Sequence, residues 1–236
     1  MATQQLRPAE RPGIVYPESD GQPMADNTLQ FEWIVTIKGN LDALFRDDPE
    51  VFVAGDLLWY PVEGDNRTRV APDVLVAFGR PKGYRGAYLQ WQEAGIAPQV
   101  VFEILSPGNR LGEMLRKRDF YERFGVEEYY LYDPDRFDLT GWRRAAEGTG
   151  GLRVLETASG WTSPRLGIRF EVAEGEPMVI YGPDGRRFLT FVELEEERKR
   201  AEHERQRAEA ERDQARQRAE RLAERLRSAG IDPEGE

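Results

Sequence analysis

An α/β fold built on a central sheet is what this sequence predicts, and three observations carry the prediction. Short runs of β-branched and aromatic residues recur along the chain, segments with helical spacing lie between them, and clusters of Gly, Asp, Asn and Pro punctuate the two. A last stretch of charged, seven-residue-periodic sequence stands apart from that pattern.

Residues 1–27 are rich in Pro, Gln, Asp and Glu and have no periodicity, so they bury too little apolar area to offset ordering entropy. They are expected to form a disordered arm. From Thr28, the residues Phe31, Ile34, Val35, Leu41 and Leu44 suit one helical face, and Asp47, Asp48 and Pro49 end the segment. The runs 51–60 and 70–78 flank the turn-forming stretch 61–68 and read as a hairpin or as adjacent strands. After a Gly-rich loop, 98–107 is a short apolar run with an acid inside it. Residues 111–124 have the charge density and apolar spacing of a helix, with Gly125 placed as its C-terminal cap. A strand follows over 126–133, where Tyr129, Tyr130 and Tyr132 read as packing residues with wet tips. Further short strands are expected within 138–144, 151–156 and 168–172. This organisation gives one domain over 28–190, a helical tail over 191–229 and a disordered end over 230–236.

In the tail, Leu194, Ala201, Ala208, Ala215, Leu222 and Ala229 recur every seven residues, joined late by Ala219 and Leu226. That is the seam of a coiled coil, weak because Ala knobs bury little area. A solvated single helix held by Glu to Arg pairs is the competing reading.

Composition removes whole chemistries. With no Cys and one His, His203 in the tail, the chain has no thiol nucleophile and no Cys- or His-rich zinc site, and a Ser-His-Asp relay would have to recruit His203. Any metal site must be made of oxygens, which suits Mg²⁺ or Mn²⁺. No run approaches the length of a membrane span and the N-terminus lacks an apolar leader core, so the reading is a soluble cytoplasmic protein. The net charge is -10, and residues 1–192 hold 29 acidic against 22 basic side chains, which argues against a protein that coats nucleic acid but leaves local contacts open.

Acids inside apolar strands are the costliest features. Glu103 interrupts Val100, Val101, Phe102, Ile104 and Leu105, where an unpaired carboxylate is strongly disfavoured. Asp73 stands at the entry to the apolar run 74–77. Two such carboxylates from neighbouring strands can converge on one Mg²⁺, with Lys117 as a third member, since its helical position aims the ammonium toward the sheet. Arg118 shares that apolar arc. Blander readings stand beside these: Asp73 bonding strand-end amides, and Lys117 laying its stem along the core. Asp56 either joins the acidic cluster or bonds nearby amides. The loop 79–86, with three cations and Tyr84, is either a phosphate-tracking element or a plain surface loop. Ser106-Pro107 ends its strand and positions Glu103.

Taken in order, Pro72-Asp73, Phe102-Glu103-Ile104-Leu105-Ser106-Pro107, Lys117 with Tyr121, Gly125-Val126-Glu127-Glu128-Tyr129 and Leu131-Tyr132-Asp133-Pro134 resemble the Uma2 family. That family, formerly a domain of unknown function, is assigned as endonucleases to the PD-(D/E)XK superfamily. The resemblance implies a restriction-endonuclease-like mixed sheet flanked by helices, with Asp73 and Glu103 as the catalytic and metal-binding acids. It also implies that Lys117 is the catalytic lysine, displaced onto the following helix, since Leu105 stands two residues after the acid. Glu113 occupies a place where these sequences often have Asp. The implied chemistry is Mg²⁺-dependent (or Mn²⁺-dependent) hydrolysis of nucleic acid, DNA first, with the metal on Asp73, Glu103 and the Ile104 carbonyl. A homodimer through the tail would pair two sites. The alternative is a weak or inactive module that binds nucleic acid or protein.

Overall fold

A computed structural model of the chain describes residues 13–145 and 150–230; 1–12 of the expected arm and 231–236 of the expected disordered end lie outside the described residues. It divides into two compact units, Met1–Phe188 and Leu189–Glu236.

Asn27 starts the first helix, α1 (Thr28–Leu44), by accepting the Gln30 amide on its side-chain oxygen. The buried stripe is Gln30, Ile34, Ile37 and Leu41, a 4-3-4 spacing. Phe31 and Val35, expected on that stripe, are 48% and 43% exposed, so the helix is rotated from the expected orientation. The run 51–60 also differs from expectation. It breaks at Asp56, whose φ of 46° interrupts the extended backbone and divides the run into β1 (Val51–Gly55) and β2 (Trp59–Tyr60).

The main sheet has six strands in the order β1-β3-β5-β6-β7-β8, where β3 is Val74–Phe78, β5 Val100–Ile104, β6 Glu128–Asp133, β7 Asp138–Arg144 and β8 Leu152–Val154. Within this sheet only β5 and β6 pair in parallel, because α2 (Leu111–Phe124) supplies the crossover between them; Gly125, at φ 99°, ends that helix as expected. Two small pairings complete the fold, β2 with β4 (Tyr88–Leu89) and β9 (Arg169–Glu171) with β10 (Val179–Tyr181). The architecture is the mixed α/β sheet flanked by helices that the sequence predicts.

Strand alternation sorts the core into two layers. Val74, Val76, Phe102, Ile104, Tyr130 and Tyr132 share one with the buried stripe of α1. Leu75, Ala77, Val101 and Tyr129 share the other with Tyr121 of α2 and with Trp59. The three strand tyrosines are buried to the tip: the Tyr130 hydroxyl donates to Glu128 and the Tyr132 hydroxyl accepts the Met178 amide, whereas the Tyr129 hydroxyl has no hydrogen-bond partner. Their tips are therefore dry.

Residues 13–27, expected to be part of a loose arm, instead lie along the domain. The Pro17 carbonyl accepts from the Tyr60 hydroxyl, the Tyr16 hydroxyl accepts from the Gly64 amide, and the Tyr16 ring packs against Tyr60 and Trp91. Composition undervalued one aromatic anchor in a polar segment. The cations of the loop 79–86 are likewise committed to the protein. Arg80 and Arg85 both bond the buried Glu93, Arg85 covers the Phe52 ring, and Lys82 donates to the Val51 carbonyl. None is held out as a phosphate contact.

The second unit holds α3 (Phe191–Ser228), opened by a capping box between Thr190 and Glu193. None of its residues is buried. Among the described residues, no helix is long and apolar enough to cross a membrane.

Candidate active site

Sheet register brings the strand acids together. Gly55 pairs with Val74 and Val74 with Phe102, so one step further along the antiparallel strands Asp56 lies opposite Asp73, and Asp73 opposite Glu103. The Asp56 amide donating to the Asp73 carbonyl at 3.2 Å extends this row past the last strand residues. By alternation the row faces the layer that α2 covers.

Helix α2 then supplies the cation. Lys117 Nζ lies 2.8 Å from Glu103 Oε2, and the buried Tyr121 hydroxyl, one turn later, donates to Glu103 Oε1. The pair is i, i+4, so one helical face delivers both donors to one carboxylate. Arg118, the rival in the apolar arc, pairs with Asp119 instead. Glu113 opens α2 and is close enough for its charge to be felt at Lys117.

Asp73 is fixed from the other side. Its Oδ2 accepts the Ile104 amide at 2.6 Å, while the Ile104 carbonyl accepts Gln30 Nε2 at 2.9 Å. Gln30 Oε1 accepts the Asp26 amide at 2.8 Å, and Asp26 Oδ2 accepts the Ser106 hydroxyl. The segment before α1 is thereby stitched to the end of β5, and Ser106 acts there as a strand-end anchor.

With both carboxylates ionised, two buried acids beside one ammonium carry a net charge of -1. The consequence appears in the titration of Asp73, which burial first and the Glu103 charge second push up to about 8, against weaker opposing pulls from Lys117, the Ile104 amide and Gln30. Burial opposes the Lys117 charge, but Glu103 and Asp73 outweigh it and hold that pKa above the ordinary lysine value. Tyr121 is raised well above the ordinary phenol value by burial and then by Glu103, so it remains a donor. Asp56 is also raised, by burial and then by Asp20, with Lys117 pulling down and Glu103 adding to the rise.

An oxygen-liganded divalent cation fits this donor set. It would neutralise the uncompensated charge, and each carboxylate oxygen keeps lone-pair capacity beyond the single bond described. Asp73, Glu103 and the Ile104 carbonyl are the groups that would hold it. Among the described residues, no group of three or more His, Asp or Glu is gathered closely enough to hold a metal, so Asp56 borders the pair without completing a three-acid cage.

Gln30 and Asp26 were not legible as site residues, although a polar residue on the buried stripe of an otherwise apolar helix is a detectable signal. Replacing Gln30 with Leu is expected to cost ~1–3 kcal/mol, because the Ile104 carbonyl and the Asp26 amide lose their partner. Equilibrium denaturation checks this; an unchanged midpoint would show that the link to β5 carries no stability.

A cavity of about 650 Å³ opens elsewhere, beside Gly125, Arg143, Arg144 and Arg165. Two of its guanidiniums are already spent: Arg144 donates to the carbonyls of Val126, Gly150 and Glu122, and Arg165 forks onto Glu127.

Comparison with known proteins adds a family. A family profile described as "Uma2: Putative restriction endonuclease" matches residues 5–183. No curated protein matches the chain. A solved structure described as "a putative nuclease belonging to DUF820", from Anabaena variabilis, is similar at 16% identity with a TM-score of 0.43, over 58% of this chain and 72% of that one. At that distance it assigns no residue. The chain belongs to the Uma2 family, whose profile spans most of its length.

Proposed function

We propose that this Uma2 protein is a Mg²⁺- or Mn²⁺-dependent endonuclease that hydrolyses phosphodiester bonds of nucleic acid, with DNA as the first substrate to test. The observation that carries the reading is the group of buried Asp73 and Glu103 with the partly buried Lys117, two acids to one cation, in a chain that belongs to a family described as "Putative restriction endonuclease". When bound, a divalent cation supplies a Lewis acid for the phosphate and lowers the pKa of water.

The protein's own groups do the rest. Asp73, held by the Ile104 amide, and Glu103, held by Lys117 and Tyr121, present fixed carboxylate oxygens without rotamer searching. Lys117, kept protonated by its two acidic neighbours, places an ammonium where it stabilises charge developing on the scissile phosphate. The phosphodiester P–O bond breaks as water oxygen bonds to phosphorus; the water's proton passes to solvent, and the leaving oxygen takes a proton from solvent and departs as a hydroxyl. In this reading residues 28–190 form the nuclease domain, extended by the docked segment 13–27. The tail 191–229 is the device for self-association, so that two copies bring two sites.

The test is cleavage of plasmid, single-stranded DNA and RNA in Mg²⁺ or Mn²⁺ by the intact chain and by Asp73→Ala, Glu103→Ala and Lys117→Ala. Each substitution is expected to lower the rate by about 100-fold or more. Activity that survives all three overturns the site. Metal binding without cleavage of any substrate would make the protein a binding module instead.

A further inference from the structure

We propose that α3 pairs with α3 of a second copy in antiparallel orientation, Leu194 of one chain level with Leu222 of the other. This rests on the self-association reading above and adds the geometry of the pair.

The helix presents an unpartnered face. It runs 38 residues with none buried, and Leu194 and Leu222 are 48% and 59% exposed. Intrahelical ion pairs, Arg198 and Lys199 with Glu195, Arg205 with Glu202 and Arg216 with Glu220, support the helix but do not cover its seven-residue seam.

Charge selects both partner and direction. Residues 193–211 carry eight acids and five bases, whereas residues 212–228 carry three acids and six bases. The two halves of one helix are therefore complementary to each other, and the partner that presents the same two halves is another copy of this chain. A parallel, in-register pair sets like against like: with the seam at Leu194, Ala201 and Ala208, Arg200 flanks Arg205 of the second copy and Arg207 flanks Arg212. Reversing one helix brings the acidic half over the basic half.

The apolar seam then selects the register. With Leu194 level with Leu222, Ala201 is level with Ala215 and Ala208 sits on the two-fold axis, giving leucine contacts at both ends and close approach between small residues in the middle. The same register sets Glu195 level with Arg221, Glu204 with Arg212 and Glu209 with Arg207, each occurring twice by symmetry. Arg198 with Arg218, Arg200 with Arg216 and Glu196 with Glu220 are the like-charged levels, which make the dimer weak and concentration-dependent.

The chain has no Cys, so disulfide trapping reads the geometry directly. Full-length Leu194→Cys and Leu222→Cys proteins are mixed and oxidised, beside each alone and beside Ala208→Cys, with helicity checked by circular dichroism. The expected result is a cross-link between the L194C and L222C chains and between A208C chains, with little in L194C or L222C alone. Efficient cross-linking of L194C to itself overturns the antiparallel geometry. A208C that stays monomeric, with sedimentation showing monomer at every concentration, overturns self-association through α3. Cleavage by the uncross-linked wild type is scored separately, so a monomer that cuts sinks this proposal and leaves the nuclease reading standing.

Discussion

Removing the Glu103 carboxylate by Glu103→Ala is expected to destabilise the fold by ~1–3 kcal/mol as well as to abolish cleavage, because it takes the bonded acceptor from a partly buried ammonium and a buried hydroxyl. Lys117 Nζ has its described partner in Glu103, and the Tyr121 hydroxyl donates to the same carboxylate from a fully buried position. One substitution therefore leaves a buried hydroxyl without its acceptor and a partly buried ammonium without its bonded partner, on top of a small cavity. A paired substitution separates the two effects. Glu103→Leu with Lys117→Met replaces the ion pair by apolar groups of similar volume, and most of the lost stability is expected to return while cleavage does not. Urea denaturation of the two single variants and the double variant measures this coupling. Additive losses with no recovery in the double variant would show that the salt bridge is not what holds α2 over β5.

How much of this was legible beforehand divides along physical lines. The strand carrying Glu103 and the helix carrying Lys117 follow from local pattern: an apolar run too short for a helix, then an amphipathic segment with Gly125 at its end. That an acid inside such a run demands a cation follows from desolvation alone. Which cation answered it was undecided, because Lys117 and Arg118 share an arc, and only the packing of Met114 and Tyr121 fixes the rotation of α2. Convergence of Asp73 and Glu103 was expected, with Asp56 as a candidate neighbour, but the alignment of the three in one cross-strand row was beyond reach for another reason. It depends on register, which is set by non-local pairing of β1, β3 and β5. Likewise the break at Asp56 comes from a positive φ that propensity disfavours and the tertiary fold imposes. The segment 13–27 escaped because composition averages over a window, whereas its attachment rests on single residues such as Tyr16 and Asp26.

Asp73→Asn is expected to stabilise the metal-free protein while destroying its function, by ~1–4 kcal/mol at pH 8. The wild-type carboxyl is buried opposite Glu103, and its pKa rises from 3.8 to about 8. Folded protein therefore holds a proton on Asp73 that unfolded protein has released, and it does so between about pH 4 and pH 8. Since the native state binds more protons in that window, the contribution of Asp73 to stability is largest near pH 4, falls as pH rises, and levels off above about 8. This is opposite in sign to a salt-bridged aspartate, whose contribution grows with pH. Asparagine keeps an oxygen for the Ile104 amide and removes the ionisable group, so its denaturation midpoint should lose that part of the decline. A divalent cation reverses the ranking. It competes with the proton for the wild-type carboxylate, so added Mg²⁺ or Mn²⁺ should raise the wild-type midpoint, more strongly at pH 8 than at pH 6, and should leave the variant nearly unmoved. Thermal or urea unfolding of both proteins across pH 5 to 9, with and without metal, supplies the comparison. If wild-type stability instead climbs through this range and Asp73→Asn is the weaker protein at every pH, the two carboxylates are not in electrostatic conflict, and the charge imbalance offered to a cation does not exist.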